Sequence, residues 1–173
     1  MSPALAKKEG PSRGGKRLLP GRKRKPVRIA DLMSKDARSC GPQQDLAAAA
    51  RLLWTGDCGV LPVVTGPERK VVGMLTDRDI CMAAWTQGRA LADIPVEVAM
   101  ANQVVSCGPD EDACEVLARL RDSHVRRLPV VDEAGQLLGV VSLVDFARAS
   151  GAGALPCEDV AAALAGIGTP PRD

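Results

Sequence analysis

Two pairs of a hydroxyl residue and a carboxylate stand at the same spacing in this sequence. Asp79 follows Thr76 by three residues, and Asp145 follows Ser142 by three residues. Each hydroxyl lies where an apolar run ends and a predicted helix begins, so free backbone N–H groups and the helix dipole favour an anion there. The carboxylate lies about one helical turn further on, on the same face, and can accept both hydrogen bonds of a ribose diol. This spacing therefore fits contacts to a phosphate and a sugar.

The same spacing also has a purely structural interpretation. Ser or Thr followed three residues later by an acidic residue is a capping pattern for the start of a helix. For either pair alone, capping and ligand contact are about equally supported. Two intact copies in one chain favour at least one ligand-binding site.

Arginine side chains near the pairs can donate hydrogen bonds to a phosphate. Arg126 and Arg127 precede an apolar run in the second half of the chain, where Gly59 and Val60 hold the equivalent places in the first half. Because the guanidinium fork matches phosphate geometry, we expect both arginines to join the second pair and to give that cleft the stronger preference for phosphorylated ligands. A solvated surface pair is the equally weighted alternative, and Arg78 supplies a cation within the first motif. The candidate ligand-binding residues are Gly59, Val60, Thr76, Arg78, Asp79, Arg126, Arg127, Ser142 and Asp145.

The elements that must position these residues belong to an internal repeat. Matching blocks are separated by 67 residues, and after one residue is lost from a polar loop the separation becomes 66. The matched blocks are 29–33 with 96–100, 39–42 with 106–109, 61–64 with 128–131, and 73–76 with 139–142. Such ordered matches indicate duplication of one structural unit.

Each unit is predicted to contain a short strand, a helix, two paired strands and a second helix. Helices are indicated by apolar residues at spacings of three and four, and strands by short apolar runs around polar loops. In the first repeat the helices are predicted at 44–55 and 77–86, with strands at 60–64 and 71–76. In the second they are predicted at 110–123 and 143–150, where Gly151 is a stop signal, with strands at 128–131 and 137–142.

This pattern predicts an α/β (α+β) fold of two β-α-β-β-α repeats. One three-stranded unit buries little surface alone, so we expect the two sheets to pack together by pseudo-twofold symmetry. The predicted segments are a disordered basic arm at 1–28, repeats at 29–95 and 96–150, and a C-terminal segment at 151–173 with a short helix at 157–165 and a fraying end.

The run Leu-Pro-Val-Val, a short loop and Gly-x-x-Thr/Ser-x-x-Asp resembles the signature of the CBS domain. It occurs twice, ending at Asp79 and at Asp145, and the resemblance covers about residues 29–150. The resemblance implies a tandem pair, or Bateman module, with two clefts that bind AMP, ADP, ATP or S-adenosylmethionine. It also implies that the Thr/Ser contacts phosphate, that the Asp holds the ribose hydroxyls, and that the module forms a homodimer. No cofactor is required by this interpretation.

The rest of the chain supports no enzyme. It contains no paired carboxylates and no nucleophile elbow, the single histidine, His124, has no assignable partner, and the six cysteines lack the close spacing of a zinc site. We expect reduced, buried thiols and no metal. The sequence shows no effector domain beside the repeats, so we expect a regulatory function to act on a separate target protein.

The first 28 residues differ in charge from the remainder. They hold ten Lys/Arg against the single acid Glu9, whereas the remainder holds 13 basic and 20 acidic residues. With few apolar residues to bury, this basic arm is predicted to be disordered. Residues 13–28 favour an alternative function, nucleic-acid association with the repeats as a scaffold, although no aromatic residues are interleaved to stack on bases. No apolar run reaches the length of a membrane span, and a cytoplasmic location is expected.

Overall fold

The computed structural model describes residues 26–168. The predictions of a disordered arm and of a fraying C-terminal end concern residues that lie almost entirely outside this range. The described residues form two repeats of similar structure.

The first repeat contains two helices and one hairpin. Helix α1 spans Leu46–Gly56, strand β1 spans Val60–Thr65, strand β2 spans Lys70–Thr76 and helix α2 spans Asp77–Gln87. Asp45 caps α1 by accepting a hydrogen bond from the Ala48 N–H at 2.7 Å, which is why the helix begins two residues later than the sequence predicts.

The second repeat has the same order of elements. A short helix, α3, spans Val96–Ala99; α4 spans Ala113–Asp122, β3 spans Arg127–Val131, β4 spans Leu137–Ser142 and α5 spans Leu143–Gly151. A last helix, α6, spans Cys157–Gly168 and extends the predicted terminal helix by three residues. Gly151 is the last residue of α5, and the first positive φ after that helix falls at Gly153.

Each sheet consists of one antiparallel hairpin. Strand β1 pairs with β2, and β3 pairs with β4. The predicted third strand is reduced to a single parallel bridge in each repeat, Cys40 with Val63 and Cys107 with Val130. The predicted mixture of helices with two small repeated sheets is confirmed, with two full strands in each sheet rather than three.

The two repeats exchange their leading segments. Ile29 is fully buried in the core of the second repeat and donates its backbone N–H to the Glu111 carbonyl at 3.1 Å. Val96 is fully buried in the core of the first repeat. At Gly139 of the Gly-x-x-Ser motif, an added Cβ would lie 2.5 Å from the backbone oxygen of Ser34. This motif glycine is therefore needed because the other repeat's leading segment crosses directly over it.

The helical faces of the two repeats are covered differently. Helix α6 packs on α4 and α5, and its Ala163 joins the second core. The equivalent face on α1 and α2 exposes Trp54 at 87%, Trp85 at 77% and Met82 at 45%. Within residues 26–168, only the second repeat thus has its helical face covered.

The five cysteines whose side chains the structure describes fall into three classes of burial, with Cys58 half-buried. Cys40 and Cys107 hold equivalent buried positions, and burial raises the pKa of the Cys40 thiol to about 11 and that of Cys107 to about 12. Cys81 and Cys114 are exposed. The expectation of buried thiols is therefore wrong for those two, because Cys81 lies on the exposed side of α2 and Cys114 lines an open crevice between α4 and α6.

Candidate functional site

The first hydroxyl–carboxylate pair caps helix α2. Asp79 Oδ2 accepts hydrogen bonds from the Thr76 backbone N–H at 2.8 Å and from Thr76 Oγ1 at 2.6 Å. Thr76 Oγ1 in turn accepts from the Asp79 N–H at 3.2 Å. This is a reciprocal capping box, and it uses one carboxylate oxygen. Within the described residues, Asp79 Oδ1 has no hydrogen-bond partner and can accept from a ligand.

The second pair is arranged in the same way at the start of helix α5. Asp145 Oδ2 accepts from the Ser142 N–H at 2.8 Å and from Ser142 Oγ at 2.6 Å. Its Oδ1 lies 3.5 Å from Nη1 of Arg148. Capping is therefore present in both copies and uses one carboxylate oxygen of each pair. The second oxygen of Asp145 is paired with Arg148, whereas that of Asp79 has no such partner among the described residues.

Each pair opens onto its own cavity. The Thr76 cleft has a volume of about 520 Å³ and contains Thr76 and Asp79. The Ser142 cleft has a volume of about 450 Å³ and contains Ser142 and Asp145. These volumes lie within the range of small-molecule sites.

Both clefts are built crosswise from the two repeats. The motif of the first repeat faces residues 124–128 of the second, together with part of the segment 101–105. The motif of the second repeat faces residues 56–58 of the first, together with part of the segment 34–38. Since each wall comes from a different repeat, a ligand in either cleft would contact both.

This crossing overturns the predicted grouping of the arginines. Arg126 lines the Thr76 cleft and is not among the residues that line the Ser142 cleft. Arg127 and Val60 line both clefts, and Gly59 lies in the Thr76 cleft with Arg78. The prediction erred because a strand and its own motif were assumed to share a cleft, whereas the side chain of Arg126 projects toward the opposite motif.

The two clefts also differ in the availability of their cations. Arg38 in the Ser142 cleft donates to Thr55 Oγ1 at 2.7 Å, and Arg148 is paired with Asp145. In the Thr76 cleft, Arg78 and Arg126 have no side-chain hydrogen bond or ion pair within the described residues. The Thr76 cleft therefore offers more unpaired guanidinium donors.

Several cleft residues were not predicted from the sequence. Arg38 and Arg148 were not singled out, and His124 was set aside as a helix-end residue, yet it lines the Thr76 cleft. Asp57 is its equivalent in the Ser142 cleft, and both have a positive φ, 47° for Asp57 and 53° for His124. The 67-residue shift relates these two residues, but it does not indicate which motif each one faces.

Two negative findings concern residues 26–168. This range contains no cluster of three or more His, Cys, Asp or Glu side chains that could hold a metal ion. It also contains no helix with the length and apolar character of a transmembrane span.

Comparison with known proteins agrees with this architecture. The family model described as the CBS domain matches residues 29–85 and 92–152. CBS domain-containing protein YhcV of Bacillus subtilis (strain 168) is 37% identical over 122 residues, which cover 69% of this chain and 82% of that protein.

Two solved structures are also similar to this chain. The CBS domain pair of protein MJ0100, in complex with 5'-methylthioadenosine and S-adenosyl-L-methionine, has a TM-score of 0.65 at 26% identity and covers 72% of this chain and all of that one. Hypoxic Response Protein I, solved with two coordinated zinc ions, has a TM-score of 0.64 at 28% identity over 70% of this chain and 98% of that one. With two matched domains, two crosswise clefts and these relatives, the chain belongs to the CBS domain family and carries a tandem pair.

Proposed function

We propose that this chain is a regulatory CBS pair, not an enzyme, that binds an adenine-nucleotide-like ligand and modulates a separate partner protein in the cytoplasm. The proposed ligands are AMP, ADP, ATP or S-adenosylmethionine. Binding of adenosine derivatives by the MJ0100 pair supports this class of ligand.

The observation that carries the proposal is the convergence of groups in each cleft. A helix N-terminus, a hydroxyl, a carboxylate and arginine side chains line one cavity of suitable size. The helix N-terminus and the arginines suit a phosphate, and the carboxylate oxygen that capping does not use suits a ribose hydroxyl. Because both repeats line each cleft, ligand binding is linked to their relative arrangement, which a partner protein can recognise.

Of the two, we propose the Thr76 cleft as the stronger site for phosphorylated ligands. Arg78 and Arg126 line it without protein partners among the described side chains. Besides the pair carboxylates, it contains one acidic residue, Asp77, against two in the Ser142 cleft, Asp36 and Asp57. The sequence predicts the stronger phosphate preference for the Ser142 cleft. The proposal assigns it to the Thr76 cleft instead, because Arg126 lines that cleft.

The homodimer is part of the proposal, and the α1–α2 face is its proposed interface. Trp54 and Trp85 each expose most of a side chain of about 150–250 Å², a large share of the roughly 800 Å² per partner in a standard interface. Arg51 is the single charged residue of α1, and α2 has none after Asp79. A surface that faces its own copy must avoid like charges, so a second copy of this chain fits it.

Thermal unfolding of the full chain with AMP, ADP, ATP, S-adenosylmethionine and NAD tests ligand binding. A ligand present at 100 times its Kd stabilises the folded state by about 2.7 kcal/mol, which raises Tm by several degrees. We expect at least one of the first four ligands to do so. No rise in Tm with any of them would contradict the proposal.

An Asp79→Asn variant separates ligand contact from capping. The amide oxygen can still accept the Thr76 N–H, but the outward position then becomes an NH₂ group that cannot accept from a ribose. We expect weaker ligand binding in calorimetry with a folded protein. Asp112→Asn is the matched control, because Asp112 caps α4, accepting from the Cys114 N–H at 2.8 Å, and lines neither cleft.

A further inference from the structure

Arg127 occupies a position between the two clefts. Its Cα is paired with that of Ser142 across strands β3 and β4. Its guanidinium nevertheless extends to the first repeat: the position of an added Cβ on Gly59 lies 3.4 Å from Arg127 Nη1 and 3.5 Å from Asp77 Oδ2. Arg127 is the one ionisable residue among the described residues that lines both cavities.

The donors of Arg127 are unused by the protein. Within the described residues its side chain makes no hydrogen bond or ion pair, so the guanidinium can serve a bound anion. The importance of Arg127 for binding an anion differs between the two clefts. In the Ser142 cleft the other arginines, Arg38 and Arg148, already have protein partners, whereas the Thr76 cleft also holds Arg78 and Arg126.

From this position we propose that Arg127 couples the two clefts, so that a phosphorylated ligand in one cleft weakens the binding of a phosphorylated ligand in the other. A single guanidinium that is held by a phosphate on the Thr76 side is withdrawn from the Ser142 side, where no other unpaired arginine remains among residues 26–168. Thermodynamic linkage makes the effect reciprocal. The inference rests on the proposed function, because it requires that both clefts bind.

The size of the coupling follows from the strength of a charged hydrogen bond. Loss of arginine–phosphate contacts weakens binding by about 10-fold to 100-fold, within the range of measured couplings between sites. An uncharged ligand such as adenosine does not need Arg127 and is expected to show no coupling.

Calorimetric titration of the full chain with AMP tests this inference when the two clefts are isolated by substitution. In wild type we expect a strong and a weak binding event. In Asp79→Asn, where the Thr76 cleft is impaired, the Ser142 cleft should bind AMP at least 10-fold more tightly than in the weak wild-type event. A single wild-type event is the strong limit of the same coupling only where Arg127→Gln reveals a second event; a single event that stays single in Arg127→Gln overturns the inference.

Two arginine variants then assign the coupling to a residue. In Arg127→Gln, the Ser142 cleft should bind AMP with the same affinity whether the Thr76 cleft is filled or empty. Arg126→Gln, a matched control that lines the Thr76 cleft only, should weaken the strong event and leave the coupling in place.

Four further results would overturn the inference. The first two are that the Ser142 cleft binds AMP equally well with the Thr76 cleft empty or filled, or binds AMP more tightly when the Thr76 cleft is filled. The third is coupling that persists in Arg127→Gln. The fourth is loss of all AMP binding in Asp79→Asn. If neither wild type nor any variant binds a nucleotide, the proposed function fails as well, so the two failures are distinguishable.

Discussion

Buried positions of the first repeat have close equivalents in the second, whereas the residues that line the clefts outside the two hydroxyl–carboxylate pairs do not. Leu61 and Leu128 are both buried at matching strand positions, as are Cys40 and Cys107. In the clefts, Gly59 of the first repeat corresponds to Arg126 of the second, and Asp57 corresponds to His124. Close packing constrains the volume of an interior side chain, but a cleft residue is constrained only by its ligand. The two clefts are therefore suited to different ligands or to different affinities for one.

The outer helical faces differ for another reason. Trp54 of the first repeat corresponds to Arg121 in the second, where helix α6 packs closely enough that an added Cβ on Gly166 would lie 2.6 Å from Arg121 Cγ. The first repeat has no such cover within residues 26–168. One face is thus closed by the chain itself, and the other is open within residues 26–168, where we propose that a second copy binds.

The largest expected effect concerns this open face. Trp54→Glu places a charge at the centre of the proposed interface, and in a symmetric dimer each substitution acts twice. We expect the dimer Kd to rise by about 100-fold or more, measured by analytical ultracentrifugation of the full chain.

Leu164→Glu is the control for this experiment. Leu164 is 57% exposed on α6, so its substitution adds the same charge to the closed face and should leave assembly unchanged. A monomeric wild type would contradict the homodimer itself. A dimer that survives Trp54→Glu but not Leu164→Glu would place the interface on the second repeat instead.

The next largest effect concerns the preference of the Thr76 and Ser142 clefts for a phosphorylated ligand. Arg126→Gln should weaken AMP binding in the Thr76 cleft by about 10-fold to 100-fold and leave adenosine binding unchanged, measured by calorimetry. Arg38→Gln in the Ser142 cleft should change AMP binding less, because the Arg38 guanidinium is already bonded to Thr55 Oγ1. A larger effect of Arg38→Gln would return the phosphate preference to the Ser142 cleft.

Local features of this fold were predictable from the sequence, and crossings between the repeats were not. The capping of α2 by Thr76 and Asp79 depends on residues three apart, so sequence spacing identifies it. The hairpins follow from short apolar runs around polar loops. By contrast, the location of Arg126 opposite Thr76 depends on how two repeats dock, and no local pattern records that geometry.

The exchange of leading segments shows the same limit. Ile29 was assigned by sequence order to the first repeat, but its side chain is buried with Phe146 in the core of the second. The Ile29 peptide hydrogen-bonds to Glu111 across a separation of more than 80 residues. Repetition predicts two similar units; it does not predict which unit each connecting segment packs against.

The smallest expected effect concerns one polar contact, made by Glu111 in the second repeat and by Gln44 in the first. Glu111 accepts from the Gly108 N–H at 2.6 Å, just as Gln44 accepts from the Gly41 N–H at 3.0 Å in the first repeat. Glu111 additionally pairs with Arg119 at 2.6 Å. The hydrogen bond from Arg119 lowers the pKa of Glu111 below its usual value.

A lowered pKa in the folded state gives stability that is present above the pKa of the unfolded chain and is lost as the pH falls through that of the folded protein. We therefore expect wild type to lose more stability than Glu111→Gln between about pH 7 and about pH 3, measured by urea unfolding. The difference should be below about 1 kcal/mol, because both side chains are about one-third exposed. Gln44→Glu is the control: Leu52 stands where the second repeat has Arg119, so the new carboxylate keeps only the Gly41 N–H as a donor and should add less acid-sensitive stability than Glu111 does. Equal pH dependence of wild type and Glu111→Gln would show that solvent screening cancels the ion pair.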